Sequence, residues 1–162
     1  MTTDMTTASL EHQSVGARLL VCEQSGIWAA ALRRETGGLE VPLDESRSLK
    51  QCVEQLSGAP ASLVALELTR ERLGEVLEFL TALERDFPLA AVMVLAQRGL
   101  EPCEEIVREA GATCFVVSPR RLPAVVASVR THFQRYPARY NGGVEAIWAT
   151  LPWGSISPPA VQ

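Results

Sequence analysis

The strongest constraint on the fold is a set of short, unbroken apolar runs. Arg18-Leu-Leu-Val-Cys-Glu23, Ser62-Leu-Val-Ala-Leu-Glu67, Leu89-Ala-Ala-Val-Met-Val-Leu95 and Thr113-Cys-Phe-Val-Val117 show no apolar-polar alternation in their interiors. A strand with one wet face alternates, whereas a continuous apolar strand is covered on both faces, as in a parallel sheet between helical layers. Between the runs the apolar period lengthens to that of a helix. Leu49, Cys52, Val53 and Leu56 fall at i, i+3, i+4 and i+7. Leu73, Val76, Leu77 and Leu80 repeat that spacing, as do Cys103, Ile106, Val107 and Ala110, and then Leu122, Val125, Val126 and Val129. Ser25 is placed to cap a first helix through Thr36, which Gly37-Gly38 ends. Leu39-Glu-Val-Pro-Leu43 reads as a weaker strand. Pro42 has no N–H to give to a ladder and predicts an edge position. The order is then βαβαβαβαβα. Right-handed crossovers fold it into an α/β, three-layer αβα sandwich around a five-stranded parallel sheet.

This pattern occupies residues 17–136. Residues 1–16 are polar and rich in Thr and Ser; they read as a disordered tail and lack the apolar core of a signal peptide. Residues 137–162 fall outside the pattern as a C-terminal extension. No apolar run reaches the ~18–20 residues that span a bilayer, so no membrane contact is expected. Cys22, Cys52, Cys103 and Cys114 are widely spaced, with no Cys-x-x-Cys pair and no Cys/His cluster. That argues against a zinc site, a cofactor or a disulfide framework and makes the cytoplasm the default setting.

The chain has one lysine, Lys50, against fourteen arginines, and three aspartates, Asp4, Asp44 and Asp86, against sixteen glutamates. Its histidines are His12 and His132. Any mechanism needing one of these residue types is confined to those positions. A net charge of −4 argues against nucleic acid as a partner, because phosphate-backbone affinity comes from clustered cations. Arg33-Arg34 and Arg120-Arg121 read as solvated helix faces near glutamates. After the first strand Gly26 stands alone, without a phosphate-cradling glycine motif. Cys22 beside Glu23 is a poor nucleophile–base pair, since a neighbouring negative charge disfavours the thiolate. The sequence therefore does not read as an enzyme.

Ala110-Gly-Ala-Thr-Cys-Phe-Val-Val-Ser-Pro119 resembles a segment of response-regulator receiver domains: Ala-Gly-Ala, an apolar strand, then Lys-Pro. The acid-ended strands at Cys22-Glu23-Gln24 and Leu66-Glu67-Leu68, with the element order, extend the resemblance over residues 17–135. It implies the flavodoxin-like strand order 2-1-3-4-5. It also implies where a phosphorylation site would lie, and each position departs from the family pattern. The phospho-accepting aspartate falls on Glu67, and the magnesium-binding acidic pair on Glu23 and Gln24. The strand-4 hydroxyl falls on Leu95, the strand-5 lysine on Ser118 and the strand-5 aromatic on Phe115.

Phosphoryl transfer to a carboxylate needs metal and ammonium charge around the transferring group. Glu67 is one methylene longer than aspartate, and misplacing an attacking atom by about an ångström costs ~10²-fold. Ser118 carries no charge, Leu95 has no hydroxyl, and Lys50 lies on the helix after the second strand. The resemblance thus implies a pseudo-receiver, a non-catalytic, phosphorylation-independent protein-interaction module of bacterial signalling or regulation. The alternative is an atypical receiver that binds a divalent metal or a phosphoryl group through Glu23 and Glu67. Glu67 is either a partly solvated carboxylate paired with an arginine such as Arg70 or Arg120, or a permanent charge in place of phosphoaspartate.

Two surfaces are offered to a protein partner. Receivers often dimerise through the fourth helix, fifth strand and fifth helix, which puts Arg108, Arg120, Arg121 and Arg130 on a possible homodimer face. In the C-terminal extension, Val144, Ile147, Trp148 and Leu151 repeat at helical spacing and Pro152-Trp153-Gly154 follows. So short a helix does not hold alone in water. Its apolar face either folds back on its own domain or anchors a partner, for which Trp is a common hot spot. Trp28 is either the seat for that segment or part of the core.

Overall fold

The computed structural model describes residues 16–138. Five parallel strands form one sheet in the order β2-β1-β3-β4-β5. They are β1 (Leu19–Cys22), β2 (Leu43–Ser46), β3 (Leu63–Leu68), β4 (Ala91–Ala96) and β5 (Cys114–Val116). The helices α1 (Ile27–Thr36), α2 (Leu49–Gly58), α3 (Leu73–Asp86), α4 (Glu104–Glu109) and α5 (Leu122–Arg135) alternate with them. This is the expected sandwich, with the expected strand order.

The apolar runs work because both sheet faces are covered. Leu20, Cys22, Val64, Leu66, Leu68, Val92, Val94 and Ala96 face one core with Cys52 and Leu56 of α2, Val76 and Leu80 of α3 and Val107 of α4. The intervening residues Leu19, Val21, Leu63, Ala65, Met93 and Leu95 face a second core with Trp28 and Leu32 of α1 and Leu122 and Val129 of α5. Successive side chains of one strand thus feed two separate cores. Trp28 belongs to the second core and is not an open seat.

Two local expectations are corrected. The second strand is Leu43–Ser46, not Leu39–Leu43. Pro42 immediately precedes it, and its carbonyl accepts from Leu19 N–H at 2.9 Å, so the ladder begins on the acceptor that proline retains. The edge position is as expected. The fourth helical segment opens as a 3-10 turn, Glu101–Cys103, so the α-helix proper is the shorter span Glu104–Glu109. Pro102 sits in that first turn, where a missing N–H costs nothing. Among the described residues, no helix is long and apolar enough to cross a membrane.

Candidate functional site

In an open α/β sheet, ligands bind beyond the carboxyl ends of the strands. At that edge β1 delivers Glu23 and β3 delivers Glu67. Both are buried, at 1% and 5% exposure. Glu23 turns into the start of α1. Its Oε2 accepts from Trp28 N–H at 3.0 Å and its Oε1 from Ala29 N–H at 2.6 Å. These are two of the amides that an α-helix leaves without internal partners, and a carboxylate there also complements the positive end of the helix dipole. The expected Ser25 cap is therefore corrected. Gly26 holds the cap position at φ +80°, and the side chain that satisfies the helix start is Glu23. Gly26 is required because a Cβ is disfavoured in that left-handed conformation.

Glu67 closes the other side of the same turn. Its Oε2 accepts from Gln24 N–H at 2.8 Å. Ser25 Oγ donates to Glu23 Oε2 at 3.0 Å and lies 3.5 Å from Glu67 Oε1, so it stands between the two carboxylates. Gln24 is exposed, and its carbonyl accepts from Arg47 Nη1 at 2.7 Å. Glu67 is not the solvated carboxylate of one expectation, and neither Arg70 nor Arg120 forms an ion pair with it.

The cation that reaches this corner is Arg72, which the sequence reading passed over. Arg72 Nε donates to Glu75 Oε2 at 2.8 Å, while its Nη1 is buried without a hydrogen-bond partner. Burial disfavours its charge, but Glu75, Cys22 and Glu67 outweigh that cost and hold the guanidinium above its ordinary range. The only sequence signal was the i, i+3 pair Arg72–Glu75 just after an acid-ended strand. Behind this corner, burial pushes the Cys22 thiol up, and pushes Cys52 up to about 12. Neither thiol is set to act as a nucleophile at neutral pH.

Neither of the two remaining positions offers Glu67 a hydrogen bond. Leu95 pairs in register with Glu67, yet its side chain is wholly buried in the α1/α5 core. Ser118 caps the 3-10 turn Pro119–Arg121, its Oγ accepting from Arg120 N–H at 3.3 Å. Phe115 packs against the α2/α3/α4 core. Among the described residues, no group of three or more His, Cys, Asp or Glu is placed to hold a metal ion. On the opposite wall, Arg120, Arg121 and Arg130 are exposed, whereas Arg108 is engaged by Glu104 at 2.8 Å and by the Thr113 carbonyl at 3.1 Å. Val144, Ile147, Trp148, Leu151 and Trp153 lie outside the described residues.

No protein-family model matches the sequence, and no curated protein is similar to it in sequence. Solved structures are similar in fold. A response regulator from Thermotoga maritima superposes with a TM-score of 0.64 at 18% identity, over 74% of this chain and 98% of that one. A CheY-like protein (TadZ) from Pseudomonas aeruginosa PAO1 gives 0.59 at 15% identity, over 70% and 93%. An atypical orphan response regulator, described as having a phosphorylation-independent regulatory mechanism, gives 0.58 at 16% identity, over 70% and 95%. The class this defines is structural: the chain is built on the receiver fold of response regulators.

Proposed function

We propose that this chain is a protein-interaction module on a receiver fold that works without phosphotransfer and without catalysis. The observation that carries the reading is the Glu23 carboxylate, both of whose oxygens are spent on the α1 amides of Trp28 and Ala29. Releasing it to a metal would orphan two buried N–H groups, at a cost of about 1–3 kcal/mol each. Glu67 is similarly committed to Gln24 N–H. An acidic corner used to hold the β1–α1 turn together is a structural joint, not a switch.

With no switch, the output is a constant surface. The exposed arginines 120, 121 and 130 on the α4–β5–α5 side offer that surface to a second copy or another protein, as in the dimers of the resembling family. Calorimetric titration with magnesium tests the first half of the reading: no heat is expected at millimolar metal, and saturable heat lost in Glu67→Gln would favour the metal-binding alternative. Light scattering tests the second half. Self-association weakened by Arg121→Glu and Arg130→Glu is expected if the face joins two copies. A strict monomer at high concentration would count against a homodimer through this face.

A further inference from the structure

All five helices start at the carboxyl edge of the parallel sheet, so the positive ends of their dipoles gather there. Acids in the first helical turn ordinarily answer that field. α3 and α4 follow the rule, with Glu71 and Glu75 before and within α3 and with Glu101, Glu104 and Glu105 at the α4 start. The starts of α2 and α5 do the opposite. Neither has an acid in its first turn. Lys50, the chain's one lysine, is the second residue of α2, and Arg120 and Arg121 lie in the 3-10 turn that leads into α5.

The other turns of this edge add to the row. Arg70 opens the 3-10 turn after β3, Arg98 lies between β4 and α4, and Arg47 lies between β2 and α2. All six residues are exposed. Arg47 reaches the Gln24 carbonyl and Glu45, whereas the other five form no ion pair among the described residues. Nearby acids do not cancel the row. Glu23 and Glu67 are turned inward onto backbone N–H groups. Hydrogen bonds from its own N–H and from the Thr69 hydroxyl hold the Glu71 carboxyl below its ordinary range. The turns of the opposite edge, 37–42, 59–62, 87–90 and 110–113, contain no lysine or arginine, so the turn cations are segregated to one end of the sheet.

The shape of the row selects its ligand. The strand order sets Arg47 and Lys50 at one end and Arg120 and Arg121 at the other. Four strand spacings of ~4.8 Å separate the ends, a span of ~19 Å. An extended peptide covers that distance with about six residues. A compact phosphate ligand calls for a glycine-rich cradle, and Gly26 stands alone after β1. A nucleic-acid strand stacks its bases on aromatic side chains, and the turns 23–26, 47–48, 69–72, 97–103 and 117–121 contain none.

Resting on the reading of this chain as an interaction module, we infer that the carboxyl edge docks an acidic, extended segment of a partner protein. The segment's carboxylates pair with Lys50, Arg70, Arg98, Arg120 and Arg121. Arg130, ~14 Å further along α5 than Arg121, lies off this surface.

Fluorescence anisotropy of fluorescein-labelled octaglutamate tests it on the full chain. Saturable binding is expected at low salt, weakening as added salt screens the exposed charges. Arg70→Gln and Arg98→Gln should each weaken it about two- to five-fold, the loss of one exposed ion pair, and the double variant should compound the two. Arg130→Gln should bind as the native chain does. Absence of saturable binding at low salt would overturn the inference, as would binding that ignores both Arg70→Gln and Arg98→Gln. Tighter binding of labelled octathymidylate would overturn it by assigning the row to nucleic acid. Light scattering keeps the two surfaces apart. A chain that is monomeric yet binds octaglutamate fails as a homodimer and supports the docking edge, whereas self-association lost in Arg70→Gln/Arg98→Gln would make a second copy the occupant and overturn the inference.

Discussion

Glu23→Gln removes the charge at the α1 start while nearly preserving shape. Glu23 now accepts from Trp28 and Ala29 through two separate oxygens and is 1% exposed, so solvent does not replace what is lost. The amide keeps one acceptor oxygen and turns an NH2 group toward the second N–H. One buried amide is then unpaired, at about 1–3 kcal/mol. Loss of the charge facing the helix dipole adds about 1 kcal/mol. The total, about 2–4 kcal/mol, is a large fraction of the ~5–15 kcal/mol that holds an ordinary domain together. For a domain of this size it corresponds to a fall in Tm of about 10 °C or more. Urea unfolding followed by far-UV circular dichroism reads it directly: the midpoint falls while the slope is unchanged. The opposite sign refutes the reasoning. If Glu23 were half of an acidic pair held for a metal, removing its charge would relieve repulsion from Glu67 and raise the midpoint.

Three further outcomes follow from the same geometry. Burial lowers the pKa of His132 from 6.5, so the native state favours the neutral ring while the unfolded chain titrates normally. Its contribution is complete above 6.5 and is lost as pH falls through 6.5 toward the lower native value. The fall in urea midpoint from about pH 7.5 to about pH 5.5 should therefore be smaller in His132→Asn, and an equal fall would remove His132 from the account. Cys103 and Cys114, partly buried, should react with a maleimide in the native protein, while Cys22 and Cys52 should react only on unfolding. Four equally fast thiols by mass spectrometry would contradict the description of the core. Gly26→Ala meets no atom within 4 Å, so its cost is that of the positive φ alone, about 1–2 kcal/mol by chemical denaturation.

Much of the fold was legible because burial on both faces writes itself into a strand as a continuous apolar run. The runs at residues 19–22, 63–68 and 91–96 lie in the structure within a residue or two of where the pattern put them. β2 was misplaced because an edge strand reading Leu-Asp-Glu-Ser carries no such run; its pairing with β1, not its own composition, makes it a strand. The site was less legible. Sequence position identified Glu23 and Glu67 as acids at strand ends, but not that Glu23 bends onto the amides of Trp28 and Ala29, since a helix cap from three residues before the turn glycine follows no local rule. Leu95 illustrates a different limit. It pairs in register with Glu67 and so projects to the same face of the sheet, but its burial in the α1/α5 core shows only in the structure. Arg72 was hidden because its approach to the corner depends on the 3-10 turn Arg70–Arg72 after β3, a conformation the residues there do not signal.

The central claim is that this receiver fold carries no phosphorylation switch. Incubation of the full chain with a small-molecule phosphodonor and magnesium, followed by intact-mass measurement, tests it most directly. The account predicts an unchanged mass at all times sampled. A stoichiometric phosphoryl adduct that maps to Glu67 and is absent from Glu67→Gln would contradict it.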